Sequence, residues 1–158
     1  MHRWIKHTVV VLSISVSACA SGGGAPPSTR PMESIPFASE LDVNLARMTK
    51  TPAGVYYRDI EEGTGPIVRG KEDLKVHYTG WLSNGVKFDS NTNEQQPLTV
   101  PLGRGRVIKG WDDGLVGMRV GGRRQLVIPP ELGYGSNRSD VIPADAVLVF
   151  EIRVISAK

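Results

Sequence analysis

Hydrophobic and polar positions alternate with period two in two stretches of this chain, the pattern of strands with one buried face. Leu74, Val76 and Tyr78 fall on one side of the first, with Lys75 and His77 on the other. In residues 147–155, Leu148, Phe150, Ile152 and Val154 lie opposite Glu151 and Arg153. Two further runs also predict strands: residues 55–60, ended by Gly63 and Gly65, and Gln125-Leu126-Val127-Ile128, stopped by Pro129 and Pro130. Phe88-Asp89-Ser90 follows the turn Ser83-Asn84-Gly85 and starts another. Between these strands Ile108, Trp111, Leu115 and Met118 recur at i, i+3, i+7 and i+10, the stripe of one short helix laid on a sheet. Gly110 and Gly114 weaken that helix, so packing must hold it. Several strands, one helix and Gly-rich turns predict an α+β domain, an antiparallel sheet covered on one face.

The segments before this domain have a different character. Phe37, Leu41, Leu45 and Met48 are spaced by four, four and three residues, which fits either a short helix packed on the domain or a partly ordered linker. Residues 20–31, ASGGGAPPSTRP, carry almost no apolar side chains and read as a tether. The first residues hold Arg3 and Lys6, and residues 8–18 are an uncharged, mostly apolar run. That is the layout of a signal peptide. The run falls short of the roughly 20 residues needed to span a bilayer, so cleavage is expected rather than a permanent transmembrane helix. Val16-Ser17-Ala18-Cys19 resembles the bacterial lipobox, whose cysteine becomes a lipid-bearing N-terminus. The alternative is an ordinary signal-peptidase site beside an incidental cysteine. With Ala20 following, the resemblance implies a lipid anchor in the cell envelope, at the outer membrane and facing the periplasm. The chain thus divides into a leader (1–18), a linker beginning at the lipidated Cys19 (19–32), a lead-in (33–53) and the main domain (54–158).

Charge and residue inventory remove several classes of function. Without Arg3 and Lys6 the chain carries 17 basic side chains against 16 acidic ones, and no basic stripe argues for nucleic acid. Cys19 is the only cysteine, so neither an internal disulfide nor a thiolate-rich zinc site can form. Of three histidines, His2 and His7 leave with the leader, and His77 lies on the strand face opposite Tyr78, where it reads as structural. Neither a histidine-based nucleophile nor a metal site is supported. The run from Gly65 to Lys71 approaches a phosphate-binding loop, but Glu72 replaces the metal-binding hydroxyl and Pro66 offers no N–H. It reads as a turn between strands, and no cofactor is implied.

What remains is an aromatic and apolar set: Tyr78, Phe88, Trp111, Tyr134 and Phe150, interleaved with Val107, Ile108 and Ile142, with Asp89 as the prominent carboxylate. Buried Tyr and Trp must satisfy their O–H and N–H groups, which suits a pocket mouth. By this pattern alone, the set is equally a pocket or a plain core.

Six ordered blocks decide between these readings. Val76-His77-Tyr78-Thr79-Gly80, Gly85-Val86-Lys87-Phe88-Asp89-Ser90, Val107-Ile108-Lys109-Gly110-Trp111, Gly133-Tyr134-Gly135, Ile142-Pro143 and Leu148-Val149-Phe150 resemble the signature blocks of FKBP-type peptidyl-prolyl cis-trans isomerases. The resemblance spans residues 54–156. It implies a curved antiparallel sheet wrapped around one short helix, with the active site between them. By the same resemblance Trp111 forms the floor beneath a proline ring, and Tyr78, Phe88, Leu98 and Phe150 form the walls. Val107 and Ile108 lie at the rim with Ile142, and the Ile108 N–H holds a substrate carbonyl. Tyr134 donates its hydroxyl to the carbonyl preceding proline, and Asp89 is the electrostatic partner of the twisting amide. Proline-containing polypeptides are the implied partners, with FK506-like macrolides as further ligands.

Three positions depart from the family pattern. Leu98 stands where many members have an aromatic residue, Glu94 where the best-known members have a basic one near the aspartate, and residues 136–141 are one residue short and lack the usual glycines. The last departure bears on macrolide affinity. A rival reading is a non-enzymatic chaperone or binding module on the same fold. Chaperone-like relatives often insert a domain before the position of Ile142, and the span from Tyr134 is too short to hold one.

Overall fold

The computed structural model describes residues 30–137 and 139–158. The leader, the Cys19 lipidation site and most of the linker lie outside the described residues. Seven strands form one antiparallel sheet: β1 (Thr49–Lys50), β2 (Tyr56–Glu61), β3 (Asp73–Leu82), β4 (Lys87–Asn91), β5 (Leu98–Pro101), β6 (Arg123–Ile128) and β7 (Leu148–Ala157). Their order is β1-β2-β6-β7-β3-β4, and β5 also pairs with β3. The two ten-residue strands β3 and β7 are the spine. On its other edge β3 is shared, with Asp73 to Val76 pairing β5 and Tyr78 to Trp81 pairing β4. The sheet curves around α1 (Lys109–Gly114).

The helix is shorter than its apolar stripe. Leu115 and Met118 are buried as predicted, but they follow the helix in a turn closed by Met118 N–H donating to Leu115 C=O, before which Gly117 adopts φ 82°. Gly110 allows the close approach to the sheet: a Cβ there would lie 2.4 Å from Ile128 Cγ2. The main core joins Trp111, Leu115 and Met118 to Leu74, Val76, Leu126, Ile128, Leu148, Phe150 and Ile152.

The sheet is also covered on its second face, where the sequence pattern predicts cover on one only. Tyr56, Val127, Val147 and Val149 form a smaller cluster there with Leu41, and Phe37, Leu45 and Met48 pack against it. These lead-in residues form no α-helix. Three short 3-10 turns, Met32–Ser34, Ser39–Leu41 and Leu45–Arg47, alternate with extended backbone. Pro36 has no N–H for a helical ladder, and Asp42 sits in the left-handed region at φ 46°, so the helix-like spacing belongs to a folded strap. Gln125, buried, donates from Nε2 to Leu41 C=O at 2.7 Å, and Ala38 N–H donates to Ser83 C=O at 2.8 Å. Tyr56 hydroxyl donates to Glu33 at 2.8 Å.

Candidate functional site

Strand pairing places Gly80 of β3 between Asp89 of β4 and Phe150 of β7. Register shifts at this point: Gly80 pairs with Asp89 but Trp81 pairs with Lys87, leaving Phe88 as an extra residue. Successive strand residues normally point to opposite faces, and a bulge re-aims one of them. Here Phe88 and Asp89 both reach the helix side. Phe88 meets Phe150 edge-on with ring centroids 5.5 Å apart, and Asp89 accepts a 2.7 Å hydrogen bond from Tyr78 hydroxyl.

The rings form a box. Trp111 lies 5.2 Å from Tyr78 and 5.3 Å from Phe150, both in edge-to-face geometry, and Tyr78 is 6.4 Å from Phe150 with a tilt of 53°. Such arrangements match the ring quadrupoles. Trp111 is 5% and Phe150 3% exposed, whereas Tyr78 and Phe88 are half-buried, so the box has a closed floor and an open side. Trp111 Nε1 is buried without a hydrogen-bond partner among the described residues. Leu98, Val107 and Ile108, all partly buried, pack against the same core, and Ile142 is part of it.

Tyr134 follows the 3-10 turn Pro130–Leu132 and stays 42% exposed at the rim. Gly135 at φ 58° turns the chain there, its N–H donating to Pro130 C=O at 2.8 Å. Burial, then the nearby Asp89 charge, pushes the Tyr134 phenol above its ordinary pKa. Tyr78 is pushed up more strongly by burial and by its bond to Asp89. Both phenols are therefore protonated donors throughout the physiological range. The Ile108 N–H has no acceptor among the described residues and stands directly before α1.

Of the residues singled out from the sequence, Tyr78, Phe88, Asp89, Trp111 and Phe150 come together as one recess. Tyr134 joins at its mouth, while Leu98, Val107, Ile108 and Ile142 pack with the main core that supplies its floor. Glu94 is exposed and forms no ion pair or hydrogen bond among the described residues, so Asp89 has Tyr78 as its direct partner. His77 lies on the other side of β3, half-buried. A separate cleft of about 800 Å³ lies between Arg30–Ile35 and the turns around Pro130 and Asp145; its lining has no aromatic side chain and shares no residue with the recess. The recess is the better candidate because its aromatic floor is buried and the Tyr78 and Tyr134 hydroxyls lie near Asp89 at its open side.

An apolar floor with hydroxyl and backbone donors at the rim can bind a ring and polarise a carbonyl. Known proteins resemble this chain over most of this domain. The family model for FKBP-type peptidyl-prolyl cis-trans isomerases matches residues 65–155. An FK506-binding protein of Neisseria meningitidis serogroup B is 53% identical over 104 residues, covering 65% of this chain and 94% of the relative. Among solved structures, a peptidyl-prolyl cis-trans isomerase from Pseudomonas syringae pv. tomato superposes with TM-score 0.64 at 33% identity, covering 70% of this chain and 80% of that one. FkpA from Escherichia coli gives TM-score 0.64 at 34% identity, over 70% of this chain and 51% of its own. The chain belongs to the FKBP family of peptidyl-prolyl cis-trans isomerases, and prolyl isomerisation is its activity.

Proposed function

We propose that the aromatic recess is where the isomerisation occurs, and that the protein acts on Xaa-Pro bonds of proteins in the cell envelope while anchored through a lipid on Cys19. The observation that carries the first part is the edge-to-face box of Tyr78, Trp111 and Phe150, closed below and open at the Tyr134 rim. Rotation about an Xaa-Pro bond is resisted by C–N resonance, a barrier of roughly 18–20 kcal/mol that a twisted amide has already surrendered. A dry recess shaped for the twisted form binds it more tightly than either planar isomer and so lowers the barrier. Trp111 supports the proline ring from below. The Ile108 N–H holds a flanking carbonyl. Tyr134 donates to the carbonyl preceding proline, and Asp89, fixed by Tyr78, sets the local field. No proton need be transferred at any step.

FK506 binding, named for the Neisseria relative, is a ligand class for the same recess. The shortened loop of residues 136–141 argues for weaker macrolide affinity than isomerase activity would suggest. The lipid anchor rests on the lipobox-like Val16-Ser17-Ala18-Cys19 alone.

Two measurements test these parts separately. In Asp89→Ala, acceleration of cis-to-trans relaxation in a proline peptide should fall by at least about tenfold, given what a preorganised polar group contributes. Unchanged acceleration would move the reaction out of the recess. Radiolabelled palmitate should enter the wild-type chain in cells and not Cys19→Ser; equal labelling removes the anchor.

A further inference from the structure

Among the described residues Arg124 is the one buried arginine, at 4% exposure, and it sits on the helix side of β6. Each of its three nitrogens donates a hydrogen bond. Nε and Nη2 donate to the two carboxylate oxygens of Asp59 at 2.7 and 2.9 Å, and Nη1 donates to the carbonyls of Gly114 at 2.9 Å and Val116 at 3.3 Å. The cation also stacks over the Tyr57 ring at 4.2 Å. Gly114 is the last residue of α1, so the contact caps carbonyls that a helix end leaves without partners and places positive charge at its negative pole.

That helix has little stability of its own. It is six residues long with two glycines, far below the length at which isolated helices persist. Besides its packing on the core, it is held by tethers from outside: Gly103 N–H to Asp112 at 2.7 Å, Thr51 hydroxyl to Asp113, and Arg124 to Gly114 and Val116. Only the Arg124 tether reaches the backbone, at the residue three after Trp111.

We infer that Arg124, locked by Asp59, is a positioning residue for the isomerase site: it fixes the end of α1 and thereby the depth of the Trp111 floor beneath the proline ring. It touches neither substrate nor the reacting bond. The inference rests on the recess being the isomerase site. A floor at fixed depth selects ring size, and a released floor accepts a larger ring with less penalty.

The test compares Xaa-Pro peptides with homologues carrying a six-membered ring in place of proline, assayed on the purified protein at low temperature where circular dichroism shows each variant folded. Arg124→Met removes the donors while keeping an apolar stem. It should lower kcat/KM for the proline peptide about tenfold, as a floor displaced by a fraction of an ångström would, and narrow the preference for the five-membered ring. Arg124→Lys, which can serve the Gly114 carbonyl but not the full fork, should fall between. Asp59→Asn, at a half-exposed carboxylate, loosens the same clamp and should shift both quantities in the same direction even if Arg124→Met does not fold. Gln125→Leu, the next residue on the opposite face, controls for stability: it should melt earlier yet keep rate and ring preference. Ring preference unchanged in both Arg124→Met and Asp59→Asn overturns the inference while leaving the isomerase reading intact. An unmodified protein that does not accelerate relaxation overturns both.

Discussion

Gly80 lies at the tightest point of the recess, and replacing it with alanine separates two opposed expectations. By backbone propensity alone, Gly→Ala inside a strand should stabilise by about 0.5–1 kcal/mol. The packing says otherwise. A Cβ at position 80 would lie 2.6 Å from Phe150 Cε1, 2.8 Å from Phe88 Cζ and 3.0 Å from Phe150 Cδ1. Carbon atoms at rest stand about 3.5–4.0 Å apart, so both rings must retreat by close to 1 Å. Phe150 cannot do so freely, being 3% exposed and in contact with Trp111. Overpacking of this kind costs about 1–3 kcal/mol. After the propensity gain is subtracted, a net loss of about 1–2 kcal/mol remains, or a melting point lower by roughly 4–8 °C for a domain of this size. The walls that move are those of the recess, and a 1 Å misplacement can cost about a hundredfold in rate. Gly80→Ala should therefore lower kcat/KM in a proline-peptide assay by ten- to a hundredfold, on that same scale, at temperatures where it is fully folded. A variant as stable as wild type, with isomerase activity intact, would refute the packing argument and detach Phe88 and Phe150 from catalysis.

Tyr134→Phe should reduce kcat by about tenfold with KM nearly unchanged, less than a fully buried donor would cost because this hydroxyl is at an exposed rim; a KM effect alone would make Tyr134 a binding residue. Tyr78 couples stability to alkaline pH: its phenol is raised above the unfolded value of about 10, so its contribution is whole below that pH and is lost as pH rises toward the folded value. Urea unfolding from pH 9 to 11 should show wild type losing stability faster than Tyr78→Phe, and parallel curves would contradict the assigned bond to Asp89. Gly110→Ala should destabilise by about 1–3 kcal/mol despite alanine's helix preference, because its Cβ would meet Ile128 at 2.4 Å; calorimetry decides the sign.

The strands around the recess were legible because each buries one face, and alternation at residues 74–78 and 148–154 states which. The path of Phe88 and Asp89 was not. Adjacent residues on a regular strand diverge, and only a bulge at Gly80, invisible in the residue pattern, brings both to the helix side. β5 leaves no strand pattern in the sequence because Leu98–Pro101 is four residues ending in proline, although the family resemblance points to Leu98. The lead-in spacing mimicked a helix because apolar side chains on a strap over a sheet can fall at similar intervals, with Asp42 and Pro36 turning the backbone instead. The role of Arg124 is hidden in the sequence for a related reason: a charged residue at the edge of an apolar run reads as solvent-facing, and its carboxylate and carbonyl partners are distant in the chain.

The central claim is that this recess speeds Xaa-Pro rotation by shape and fixed dipoles. Exchange spectroscopy on a proline peptide, with catalytic amounts of the 20–158 chain, measures the cis-trans rate directly. The expected result is acceleration that disappears when the recess is filled by a competing proline ligand and is insensitive to metal chelators. Exchange at the uncatalysed rate, with the domain folded, would contradict it.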